Sequence, residues 1–155
     1  MAQHHKWSLT ELEDLAAVPV SLDSGETGWV LADDVDEVRP VDPWAALLPV
    51  LDPTVMGWKA RGFYLSSDGV GRHTDGNGNI GTTAWWDGRV VGTWVQSSEG
   101  RVVVTPDEPL PAAARKALDA EAERLTTWLD GVVVGTVYPS PAMKQARASL
   151  GELDR

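Results

Sequence analysis

The chain has 155 residues, a formal net charge of −10, eight tryptophans and no cysteine. This composition excludes a disulfide frame, a thiolate metal centre and a cysteine nucleophile, and it fits one domain or one domain with a fragment of another. No apolar run reaches the length of a membrane span, and Met1-Ala-Gln-His-His-Lys6 carries no secretory or transit pattern, so no membrane partner and a cytoplasmic location are expected.

The charge is unevenly spread. Residues 1–40 hold nine acids and two bases (−7), residues 41–106 six and five (−1), and residues 107–155 eight and six (−2). The middle segment is therefore the region where a cationic face can be assembled without strong local cancellation.

In chain order, Ser8-Leu-Thr-Glu11 is a capping box and predicts a helix from Leu9, with Leu9, Leu12, Leu15 and Ala16 on its apolar face. It ends by Val18-Pro19. A hairpin turning on Ser24-Gly25 then pairs Leu22 with Thr27, Val20 with Trp29 and Val18 with Leu31, which collects the apolar residues on one side. A short helix feeding such a hairpin is how a winged-helix domain ends. The acids of residues 33–43, with Pro40 and Pro43, mark a boundary.

Residues 44–51 read as a buried strand. Asp52-Pro53 opens a short helix to about residue 58, with Asp as cap and Pro at the first position. Residues 62–66 read as a strand, and residues 67–79 as a glycine-rich loop with turn signals at Asp75-Gly76 and Asn77-Gly78. A calcium loop is rejected there, because Ile80 and Trp86 stand where a glycine and a bidentate carboxylate belong. A turn into the next strand is the better reading.

The centre of the chain is the run Gly81-Thr-Thr-Ala-Trp-Trp-Asp-Gly-Arg-Val-Val-Gly-Thr-Trp-Val95. Asp87-Gly88 favours a two-residue type I′ turn. A regular ladder then pairs Trp86 with Arg89, Trp85 with Val90, Ala84 with Val91 and Gly81 with Trp94. Trp85, Val90 and Trp94 would share one face, and Ala84, Val91 and Val95 the other. Both faces are too apolar for water, which predicts a half-closed barrel with a helix outside. Residues 97–100 form a turn and residues 101–105 a strand. A long helix runs over 111–130 with Gly131 after it and an apolar stripe of Ala114, Leu118, Ala122, Leu125, Trp128 and Leu129. Residues 132–138 read as a last strand, and Ser140-Pro141 opens a final helix that stops at Gly151. The expected fold class is α+β: a small β-barrel-like antiparallel sheet covered by a long helix (residues 41–155), preceded by a helix-hairpin remnant of a winged helix (residues 1–40).

Signatures of nucleophilic, metal or nucleotide chemistry are missing from the sequence, so no catalytic residue, metal ligand or cofactor is assigned. A hydrolase would need Asp52, His73 and Asp75 to meet in a cleft. The five bases of the middle segment are Lys59, Arg61, Arg72, Arg89 and Arg101, most of them at turns or strand ends where they reach phosphates. Lys59, Arg61, Arg72 and His73 form the candidate DNA-binding set. The rival reading is a small-ligand or protein-binding barrel with Trp85 and Trp94 lining one pocket.

The run Trp44-Ala-Ala-Leu-Leu-Pro-Val-Leu-Asp-Pro-Thr-Val-Met-Gly-Trp-Lys-Ala-Arg61 resembles the C-terminal region of winged-helix DNA-binding proteins grouped with AlkZ-like DNA glycosylases. Asp75-Gly-Asn-Gly-Asn79, Trp85-Trp-Asp-Gly-Arg-Val-Val-Gly92 and Tyr138-Pro-Ser-Pro141 extend the likeness from about Trp7 to Gln145. The resemblance implies tandem winged helices followed by a small β-barrel. It also implies base excision by a Gln-x-Gln or Gln-x-Asp motif in the first winged helix. Gln3, Gln96 and Gln145 do not match that motif. The expectation is a non-catalytic region of a DNA-binding or DNA-repair protein, with DNA or the upstream winged-helix domains of a parent protein as partners. The acidic first helix, and Asp23 opposite Glu26 at the wing tip, make residues 1–40 a scaffold rather than the part that grips DNA.

Overall fold

The computed structural model describes residues 9–36, 38–57 and 60–153. The fold is α+β, and the chain forms two compact units, residues 1–42 and 43–155.

In the first unit, helix α1 (Leu9–Asp14) is followed by strands β1 (Ala17–Ser21) and β2 (Thr27–Leu31), which pair antiparallel. Ser8, the expected cap, lies outside the described residues. The hairpin register differs by one residue from the expected one: Val18 faces Val30, Pro19 faces Trp29 and Val20 faces Gly28. The turn is the cause. Gly25 takes φ +80°, its N–H donates to Leu22 C=O at 2.8 Å, and Leu22 N–H donates to Glu26 C=O, so the loop has three residues instead of two. Because side chains alternate along a strand, the shift moves Trp29 and Leu31 to the face opposite Val18, Val20 and Val30. They are 41% and 49% exposed there, while the valine face is half-buried.

The second unit is built on one antiparallel sheet in the order β3 (Ala45–Leu48), β4 (Thr83–Trp86), β5 (Arg89–Gln96), β6 (Val102–Pro106). Asp87 at φ 48° and Gly88 at φ 74° make the left-handed pair that a type I′ turn requires. Trp86 faces Arg89 and Trp85 faces Val90, but Ala84 then faces Gly92, not Val91. A bulge at Val91 therefore shifts the rest of the ladder. Trp85, Val90 and Val95 lie on one face of the sheet, and Ala84, Gly92 and Trp94 on the other.

Each face has its own cover. Trp94 packs with Leu47, Val102 and Val104 against Ala122, Leu125 and Leu129 of helix α4 (Ala112–Leu129). Trp85 packs with Val55 of helix α2 (Pro53–Met56), with Tyr64, Leu65 and Ile80, and with Val70 of helix α3 (Ser67–His73). On that same face Val95 meets Met143 and Ala146 of helix α5 (Pro141–Leu153). The described sheet is thus open and sandwiched between helices, which corrects the barrel-like expectation. Both faces are apolar, as the sequence requires; the long helix α4 covers one, as expected, and helices cover the other in place of the expected partial closure.

Local chemistry explains the helix starts. The Asp52 carboxylate accepts from Thr54 N–H at 2.9 Å with Pro53 at the first position, and Ser66 Oγ accepts from Gly69 N–H at 3.0 Å. The second cap turns half of the expected glycine-rich loop into α3. Residues 62–66 are a turn instead of a strand, since Tyr64 and Leu65 N–H both donate to Arg61 C=O and both side chains are buried in succession. Asp75 to Asn79 is the expected turn, held by the Asp75 carboxylate, which accepts from Asn77 N–H, Asn79 N–H and Asn79 Nδ2. Trp128 stands at the edge of the α4 stripe and is 74% exposed. Residues 132–138 form no strand. The Gln96 amide stands in for a strand partner there, donating to Val132 C=O at 2.9 Å and accepting from Val134 N–H at 2.8 Å. Helix α5 runs past Gly151.

Candidate nucleic-acid interface

Of the bases of the middle segment, Arg72 lies in the last turn of helix α3 and Arg61 opens the turn that precedes that helix. The turn is tied to the β4–β5 hairpin by Val90 N–H, which donates to Tyr64 C=O at 2.8 Å. Tyr64 is anchored from within, its hydroxyl donating to Thr54 C=O at 2.8 Å. Burial pushes that hydroxyl's pKa up, and the nearby Arg61 charge pulls it back in part. Arg61 is half-buried at the start of the turn, followed by Phe63 at 69% exposed.

Arg72 and His73 occupy the last turn of α3. Thr74 N–H donates to Val70 C=O, ending the helix and aiming the two side chains at the chain leaving β6. There Asp107 receives both: Arg72 Nη2 lies 3.0 Å from Oδ1, and His73 Nε2 lies 2.7 Å from Oδ2. Asp107 is itself held by its N–H, which donates to the C=O of the bulged Val91 at 2.9 Å. Burial alone would raise the Asp107 pKa, but the hydrogen bond and charge of His73 and the Arg72 guanidinium outweigh it, and the group is held below its ordinary value. His73 is completely buried, and its Nδ1 has no partner. An open groove of about 310 Å³ passes Asp107, lined by Tyr64, Ser66, Arg89, Val90 and Glu108 among others.

The predicted DNA-binding residues are thus placed differently from one another. Lys59 lies outside the described residues. Arg61 and Arg72 sit before and at the end of α3, and Arg72 remains 47% exposed while paired with Asp107. His73 does not reach the surface; it positions Asp107 and, through it, Arg72. Asp107 was not singled out from the sequence. Its only local mark is a carboxylate between Pro106 and Pro109 at a strand end, thirty-four residues beyond its histidine partner.

The hydrolase constellation does not assemble. Asp52 caps α2, and Asp75 is used within its own turn, where Asn79 and the turn's backbone N–H groups hold its pKa low. Both are engaged away from His73, whose partner is Asp107. The shared indole pocket is also corrected, because the Val91 bulge separates Trp85 and Trp94 onto opposite faces. Trp85 Nε1 donates to Thr83 Oγ1 and Trp94 Nε1 to Leu48 C=O, each at 2.8 Å. Trp94 borders a cavity of about 50 Å³, beside Val50, Thr82, Met143 and Arg147. Of the glutamines, Gln96 is committed to Gly100, Val132 and Val134. Among the described residues no three His, Cys, Asp or Glu side chains are grouped to hold a metal ion, and no helix is long and apolar enough to cross a membrane.

Comparison with known proteins agrees with the resemblance seen in the motifs. Residues 2–128 match the family described as DNA glycosylase AlkZ-like. Among solved structures, the Streptomyces sahachiroi DNA glycosylase AlkZ is similar at 22% identity and a TM-score of 0.48, over 76% of this chain and 33% of that chain. The present chain therefore spans about a third of that protein's length. No curated protein matches. With most of its length matched by that one family, the chain belongs to the AlkZ-like DNA glycosylases, a family tied to DNA repair.

Proposed function

We propose that this chain is a non-catalytic DNA-binding or scaffold region of a DNA-repair protein, and that its DNA contacts come from residues 43–155. The observation that carries this reading is the Arg72–Asp107–His73 arrangement. A buried histidine and a half-buried carboxylate hold an arginine at the surface, with Arg61 before the same helix and Lys59 two positions earlier in the sequence. A pre-positioned guanidinium loses less freedom on meeting a phosphate than a free one does. Residues 1–40, at −7, serve as a winged-helix remnant and scaffold. Their exposed Pro19–Trp29–Leu31 face suits packing against other winged-helix domains of a parent protein.

Binding is expected to be weak. Each neutralised phosphate contributes about −0.9 to the slope of log affinity against log salt, and three candidate contacts against acidic surroundings give a Kd no better than about 10⁻⁴ M at physiological salt. Fluorescence anisotropy with a duplex over a salt series tests this. Arg61→Gln and Arg72→Gln should each weaken binding and flatten the slope by about one unit. Unchanged binding in the double variant would place the contact elsewhere, and tight, salt-insensitive binding would remove the electrostatic account.

A further inference from the structure

Strand β6 is an edge of the described sheet, and its outer side opens onto a groove. Ser97 N–H donates to Arg101 C=O and Asp107 N–H to Val91 C=O. Hydrogen-bonded pairs alternate with non-bonded ones in an antiparallel ladder, so the bonded pairs between these points are Val95 with Val103 and Thr93 with Thr105. Val102 and Val104 therefore turn their N–H and C=O groups away from β5. The Val102 N–H confirms this direction, since it donates to Thr126 Oγ1 of α4 at 2.9 Å. Thr126 closes one end of the edge, and Pro106, which has no N–H, closes the other. Between them Val104 keeps an outward donor and acceptor that no described group meets.

The groove holds about 580 Å³ between this edge and α4, with Arg101, Val102 and Val104 along one wall and Asp119, Ala122 and Glu123 along the other. Ala122, packed against Trp94 and Val102, also lines the groove. Asp119 and Glu123 are exposed one turn apart, and among the described residues neither is in an ion pair. Two like charges at that spacing cost a helix stability, and a cation between them would reverse the sign. Asp119 also lines the adjoining groove, together with Val104, Leu110 and Arg115.

We propose that this groove takes one short extended peptide by strand addition, with a lysine or arginine at the residue paired to Val104. That residue exchanges two backbone hydrogen bonds with Val104. Directly paired residues share a face, so its side chain points towards α4 and over Ala122, where Asp119 and Glu123 receive the cation. The two closed ends limit the bound segment to a few residues, and main-chain bonds with one charged anchor make a weak, reversible contact. The partner is a protein segment, since the carboxylate pair repels nucleic acid.

The full chain titrated with acetyl-Thr-Val-Lys-Val-Thr-amide tests the proposal, with backbone amide exchange followed at Val104. The expected result is saturable binding that slows Val104 exchange. Asp119→Asn combined with Glu123→Gln should raise Kd about tenfold, consistent with loss of a charge-assisted hydrogen bond. Methylating the lysine backbone nitrogen should weaken binding to a similar degree with the charge unchanged, which separates strand addition from simple attraction to an acidic protein. Both α4 substitutions are on an exposed face and leave the fold intact by circular dichroism. Absence of saturable binding at millimolar peptide, or binding that leaves Val104 exchange unaltered, would overturn the proposal.

Discussion

His73 Nε2 donates to Asp107 Oδ2 at 2.7 Å from a completely buried ring, and this contact joins the end of α3 to the chain leaving β6. Replacing Asp107 by Asn keeps the shape but removes the charge that faces both His73 and Arg72. A buried group that loses a charged partner costs about 1–3 kcal/mol. Urea unfolding at neutral pH should show a loss in that range.

The same pair sets an acid-side dependence. The folded Asp107 pKa lies below its ordinary 3.8, so its contribution is fully present above that value and is lost as pH falls from about 4 through the lower folded value. Urea midpoints measured from pH 6 to pH 2 should show this component in the native chain and lack it in Asp107→Asn. Identical pH profiles for the two would contradict the linkage.

Gly92 lies where β5 passes closest to β6. A Cβ there would collide with the Thr105 carbonyl oxygen and with the Pro106 Cα, both backbone atoms that cannot swing aside. Gly92→Ala should destabilise by roughly 1–3 kcal/mol, as overpacking does. Gly62→Ala, whose Cβ meets nothing within 4 Å, should stay within about 0.5 kcal/mol. Chemical denaturation of both variants provides the comparison.

The hairpin of the first unit has one half-buried face and leaves Trp29 and Leu31 in water. A two-stranded hairpin alone is marginal. Amide exchange in residues 17–31 should report opening well below the global unfolding energy, in contrast to residues 92–95 at the sheet centre. Equal protection in both regions would show that the hairpin is covered in solution.

The chain is expected to release no base from alkylated duplex DNA at any excess over substrate, since it has no Gln-x-Gln or Gln-x-Asp motif and Gln96 is consumed in backbone contacts. Chromatography of the released bases is the check. Release that disappears on replacing Asp52 or His73 would instead assign chemistry to residues that here act as a helix cap and a buried strut.

The features legible in the sequence are those made by neighbours along the chain. Asp87-Gly88 specified its turn and the first two pairs of the hairpin, Asp52-Pro53 its helix start, and the spacing of Ala114, Leu118 and Ala122 the buried side of α4. The apolar character of both sheet faces was equally plain, and the family could be read from short motifs.

Tertiary structure decided what depends on residues far apart. The Val91 bulge is stabilised by Asp107 N–H sixteen positions later, and its one-residue shift sends Trp85 and Trp94 to opposite faces, replacing a shared pocket by two cores. Closure into a barrel and burial under helices satisfy the same hydrophobic pattern, so pattern alone could not choose between them. Residues 132–138 have strand-forming side chains, yet a strand needs a partner ladder, and the Gln96 amide supplied two hydrogen bonds in its place. The charge site follows the same logic. Arg72 was visible as a base at a turn, but its orientation comes from a carboxylate and a buried imidazole that meet only when α3 and β6 pack, because an ion pair is set by distance in space and leaves no mark in local sequence.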